Sequence, residues 1–336
     1  MERLKYFVVN NVEDLKRYLS KKDNGAFIEG YLDFSSVENL EINCEITKES
    51  INQAFPEPGL LEFNVSLNCN NLAINGKGKF QAHLKAQGDL SGSREVIDCG
   101  DVKVAGVVDL PNTIIVSQYT KLEGKGEQTS KVKAIVAREL IANNLNCDMV
   151  LATNAYLKGK NNIGIDRIFG IFKACADREN INETTLKASD KRLRDEVYGI
   201  ENSELSEGNF LKTVRVNDSL PEAEKDPLSD ERFGYVNYLS INGVPIEARG
   251  LKTNDISIQY DSMANERSGK AILDNVESNG LEIMGWDIPI EVTLKDCIIT
   301  ANNIKISRGI QVNGLETLKE PKPDAPKPPR PFQPNR

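Results

Sequence analysis

Three stretches near the end of the chain decide its fold: LKTNDISI at 251–258, VESNGLEI at 276–283 and ITANNIKI at 299–306. Each reads apolar, any, small, two corner residues, apolar, any, apolar. In an extended segment, positions one and three point to one face. Positions six and eight are apolar as well, so the parity flips across the two residues between. A flat strand would turn its second half to solvent. A strand bent at a two-residue corner keeps both halves inward. The corner pairs here are Asn254-Asp255, Asn279-Gly280 and Asn302-Asn303, residue types that tolerate a left-handed backbone and bond their own turn.

The same phrase recurs as LNCNNLAI at 67–74, IDCGDVKV at 97–104, LIANNLNC at 140–147 and VLATNAYL at 150–157, with a weaker copy, SSVENLEI, at 35–42. The last three copies start 25 and then 23 residues apart, one coil of a three-sided solenoid. The copies at 67 and 97 are 30 apart, which fits one coil with a longer turn, and those at 140 and 150 must be two corners of a single coil. Stacked coils rise by about 4.8 Å. The expected fold is therefore all-β, a right-handed parallel β-helix. Leu72, Val102, Ile256, Leu281 and Ile304 should lie inside it. Cys69 and Cys99 take the small inward position.

Working outward, the N-terminus reads as a cap. Asn11 with Asp14 starts a helix whose apolar face is Val12, Leu15 and Leu19; Gly25 ends it, and AFIEGYLDF at 26–34 follows as a strand. Residues 8–34, VVNNVEDLKRYLSKKDNGAFIEGYLDF, resemble the capping helix and first strand of pectate-lyase-type β-helices. That resemblance implies the fold. The chain carries neither the Trp-x-Asp-His nor the Arg-x-Pro-x-x-Arg segment of that family. Of the polygalacturonase motifs, Thr253-Asn254-Asp255 is only a scramble, and His83 has no flanking glycine. GDVKVAG at 100–106 also resembles the stacked repeats of bactofilins, a family of polymerising scaffold proteins.

The chain divides into a capping segment at 1–25, coils at 26–159, a polar and partly helical insertion at 160–235, coils at 236–318 and a tail at 319–336. In the insertion, IDRIFGIFKACADREN has Ile168, Phe172 and Cys175 at helical spacing, and SDKRLRDEVYGI puts Leu193 and Val197 on one helix face. Departures from a repeat carry individuality, so Arg178, Arg192, Arg194, Asp195 and Glu196 are the candidate partner-binding residues. The tail holds seven of the chain's 14 prolines and reads as extended and solvated.

Function is bounded more by exclusion. A net charge of −8 and a pI near 5.1 argue against a nucleic-acid surface. No apolar run is long enough for a signal peptide or a bilayer span. Six scattered cysteines and one histidine, His83, make no metal-ligand spacing, and no cofactor motif is present. Buried thiols fit a cytoplasmic protein, and leaderless export fits equally. Acid chemistry would rest on Asp98 and Asp101, which flank one corner, and on Asp109 one half-phrase later. The expected function is non-catalytic: recognition of a protein or glycan, or scaffolding. The alternative is a polysaccharide lyase or glycoside hydrolase with an atypical acidic site. The oligomeric state is left open.

Overall fold

The structure, a computed structural model, describes residues 4–23, 28–54, 65–165, 170–175, 183–190, 192–193, 196–197, 236–261, 269–286, 288–300, 303–315 and 318. Its strands form one hydrogen-bonded system in which every pairing is parallel except that of 19–23 with 28–32. The fold is a parallel β-helix. One ladder runs its whole length: Leu32, Leu67, Leu84, Val102, Thr120, Leu140, Ala155, Phe172, Leu239, Ile256, Leu281 and Ile304, each paired with the next. At about 4.8 Å per rung the stack is roughly 50 Å tall. This ladder marks side B. Side A carries Phe80, Ile97, Ile115, Ile135 and Val150, and side C carries Leu110, Val132, Cys147, Ile163 and Leu186.

The bent phrase is present, but it marks two different corners. At 97, 150, 251 and 276 it turns from side A to side B; at 67 and 140 it turns from side B to side C. The 30-residue step from 67 to 97 is therefore not one coil. Leu67 pairs with Leu84 and Leu84 with Val102, so this part of the helix repeats every 17 or 18 residues. The spacings of 25 and 23 near the C-terminus are true coils, since Leu281 pairs with both Ile256 and Ile304. Leu72, Val102, Ile256 and Leu281 are buried as expected, whereas Ile304 is only half-buried because no described rung covers it.

Corner asparagines work mainly by stacking. Among the described corner pairs only Asn144 is left-handed, at φ 53°. Asn71 Nδ2 donates to Asn39 Oδ1 (3.1 Å), Asn71 Oδ1 accepts from Asp89 N–H, and Asp89 Oδ1 accepts from Val107 N–H. Each corner thus satisfies the next one along the axis. Gly88 and Gly106 sit where a Cβ would come within 2.0 Å of Asn71 Oδ1 and 2.3 Å of Asp89 Oδ1, respectively. The third corner, from side C to side A, does use left-handed residues: Gly250, Asn275 and Asp296 on successive rungs.

At the N-terminus the Asn11–Asp14 capping box forms and Leu15 is fully buried. The helix is a 3-10 helix ending at Tyr18, however, and Leu19 opens a strand rather than completing the helical face. Residues 4–9 form a strand on 37–42, and Phe7, Tyr18 and Phe34 stack over the end of the core. Residues 170–175 correct a second expectation. They are a strand, paired with 154–157 and 236–242, not a helix. Ile168 lies outside the described residues; Phe172 and Cys175 keep their helical spacing in sequence, but the open backbone edge at 154–157 pairs with 171–174 and overrides it. Since 161–165 and 184–188 are strands too, coils continue to residue 188, well inside the segment read as insertion.

Candidate functional site

Outward residues on side B alternate with the inward ladder and form two columns along the axis. One holds Tyr31, Ser66, His83, Asp101 and Tyr119. The other holds Asp33, Asn68, Lys85, Lys103 and Lys121. The first four rungs of this face line a groove of about 510 Å³, with Ser20 of the N-terminal antiparallel strand at its rim. Ser20 Oγ donates to the Tyr31 carbonyl at 3.3 Å.

Each side chain is set by its rung. His83 Nδ1 accepts the Asp101 backbone N–H at 3.1 Å, which leaves the ring proton on Nε2 in the neutral imidazole. Gly100 permits this approach, because a Cβ there would lie 2.4 Å from His83 Cε1. Asp33 Oδ1 accepts from Ser35 N–H (3.0 Å) and from Asn68 Nδ2 (3.3 Å). The Ser35 backbone bond is the main cause holding the Asp33 carboxyl below its usual range. Asn68 Oδ1 is buried with no donor among the described residues. Lys103 Nζ meets Asp101 Oδ2 at 2.7 Å and sits 5.2 Å from the Tyr119 ring centroid. Lys121 pairs with Glu123. Three ammonium groups thus stand on successive rungs, although like charges placed opposite each other weaken a sheet.

The acids singled out from sequence are not brought together. The corners turn them onto three sides: Asp98 on side A, where it accepts from Gln81 Nε2 at 3.3 Å, Asp101 on side B and Asp109 on side C. Within the groove, Asp33 and Asp101 lie three rungs apart, roughly 14 Å along the axis. Two-carboxylate glycosidases need separations of about 5–9.5 Å. Cys69, Cys99 and Cys147 point inward, and burial pushes the Cys69 and Cys147 thiols up to about 12 and Cys99 higher still, so none is a ready nucleophile. Among the described residues no group of three or more His, Cys, Asp or Glu side chains is placed to hold a metal. No described helix is long and apolar enough to cross a membrane.

Of the candidate partner-binding residues, Arg178, Arg194 and Asp195 lie outside the described residues. Arg192 is exposed and its backbone N–H donates to Asp190 Oδ1; Glu196, also exposed, accepts from Lys133 Nζ at 2.5 Å. Neither lies in the groove. The groove residues had a sequence signal that period-two reading overlooks. Lys85, Lys103 and Lys121 are each 18 apart, and each begins a Lys-x-x-Gly string ending at Gly88, Gly106 and Gly124. No family model, curated protein or solved structure matches the chain.

Proposed function

We propose that the chain is a non-catalytic β-helix that recognises a glycan along the side B groove. The observation that carries this reading is the column Asn68–Lys85–Lys103 beside the fixed ring of His83. Asp101 and Glu123 already offset Lys103 and Lys121, so Lys85, for which no ion pair is found among the described residues, is the ammonium best placed to take an acceptor oxygen of an extended ligand. The orphaned Asn68 Oδ1 offers the complementary acceptor for a hydroxyl. Tyr31, on the first rung, adds an aromatic surface to the groove lining. The rungs are rigid, so little ordering accompanies binding.

A glycan array, run beside a reducing-sugar release assay on the glycans that bind, tests the reading. The parent chain should bind at least one extended glycan class and release no reducing ends. A Lys85→Ala/Lys103→Ala variant, altered only at exposed positions, should lose at least tenfold in affinity at unchanged circular dichroism. Sugar release by the parent would transfer the groove to a polysaccharide-active enzyme. Undiminished binding by the variant would remove the groove from recognition.

A further inference from the structure

A second feature lies on side A, away from the groove. Outward positions of a solenoid are normally polar, yet three adjacent rungs carry apolar side chains outward in two columns: Ile114, Ala134 and Met149, then Val116, Val136 and Leu151. All six are buried, in a cluster separate from the main core, and among the described residues Leu193 and Val197 complete that cluster. The face has defined limits. On the preceding rung Asp98 stands opposite Val116. On the following rung Gly164 lies against the Asp148 carbonyl, where a Cβ would come within 1.8 Å. Lys133, at a register shift in its strand, edges the face and pairs with Glu196 at 2.5 Å.

The seated segment describes its own receptor. Leu193 and Val197 are four apart in helical residues, so both fall on one helix face, and Glu196 reaches sideways to the lysine. Among the described residues, two aliphatic side chains and one ion pair between partly exposed groups hold this cover over a six-residue apolar surface. We propose that the side A face is a docking site for an amphipathic helix, filled in cis by Leu193 and Val197. A partner helix with aliphatic residues at i and i+4 and a carboxylate at i+3 competes for the same place. Contiguous apolar surface of this kind marks interaction sites, and laying a helix's apolar face on it is an established mode of recognition. This inference does not depend on the glycan groove.

The test uses a fluorescent peptide of the chain's own sequence, SDKRLRDEVYGI, with anisotropy as the readout. The full-length Leu193→Ser/Val197→Ser variant should bind it at least tenfold more tightly than the parent, and adding Val136→Lys should abolish that binding. Equal affinity for parent and double variant, or no binding to a double variant with an intact circular dichroism spectrum, would overturn the proposal. Should that variant fail to fold, a charge exchange decides. A Lys133→Glu chain should bind the peptide bearing Glu196→Lys at least tenfold more tightly than the native peptide, and no difference between the two peptides would refute the site.

Discussion

Among the described residues Arg94 heads the fully buried side chains by volume, and none of its hydrogen bonds goes to a carboxylate, which is unusual for a buried cation. Its guanidinium donates to the Lys77 and Cys44 carbonyls at 2.7 Å each and to the Asn75 carbonyl, while its own carbonyl accepts from Thr113 Oγ1 at 2.6 Å. Burial lowers its pKa, but the group stays charged across the working range. The planar fork closes carbonyls that turns near the N-terminal end would otherwise leave unmade. Replacing it with a shape-matched apolar chain takes this donor from three part-buried carbonyls, each worth about 1 kcal/mol. Arg94→Met should therefore cost about 3 kcal/mol, read as a fall in thermal midpoint of several degrees. Arg94→Lys should recover only part of it, since one ammonium cannot span the three. A midpoint unchanged in Arg94→Met would show that the bonds are incidental.

Each coil is a unit whose inward ladder position sets what a substitution does. Leu281 is buried between Ile256 and Ile304, whereas Ile304 stands half-buried on the last described side B rung. An unpaired charge in the first place should cost about 4 kcal/mol or more, and in the second about 1. Thermal melts of Leu281→Asp and Ile304→Asp check this, and equal losses would mean that ladder position is irrelevant. The bend itself was readable because apolar parity flips across Asn- and Gly-rich pairs. Which corner each copy occupies was not, because A-to-B and B-to-C corners obey the same rule and only strand pairing separates them. The runs TIIVS, KAIVA and DMVLA are apolar on both faces, so alternation cannot show that Ile114, Val136 and Leu151 point outward. The spacing of Leu193 and Val197 puts both on one helix face, but nothing local names the surface beneath them. The groove was hidden for a similar reason: its columns join residues 35 apart at the first step and 17 or 18 apart after it, a period apparent only once Lys85, Lys103 and Lys121 are aligned.

The whole molecule is a stack with unlike ends. At the N-terminal end Leu32, Phe34, Val37, Leu40 and Ile42 are all at most 2% exposed, beneath the 3-10 helix and the strand at 4–9. The antiparallel strand at 19–23 closes side B, a device that stops a further parallel strand from adding. At the other end Ile304, Ile306 and Val312 are half-buried and Leu315 is 37% exposed. In a solenoid each rung is stabilised by its neighbours, so a rung lacking one neighbour opens at a lower free energy than one lacking none. Opening should therefore begin at the C-terminal end and progress toward the N-terminus. Native-state hydrogen exchange reads this directly. Amides of 304–306 and 311–313 should exchange at least roughly a hundredfold faster than those of 37–42, a gap of about 2.7 kcal/mol in opening free energy. Residues 256–258 and 281–283 should fall between. Uniform protection along the stack would mean that the molecule opens only as a whole, and that the exposed last rung carries no penalty.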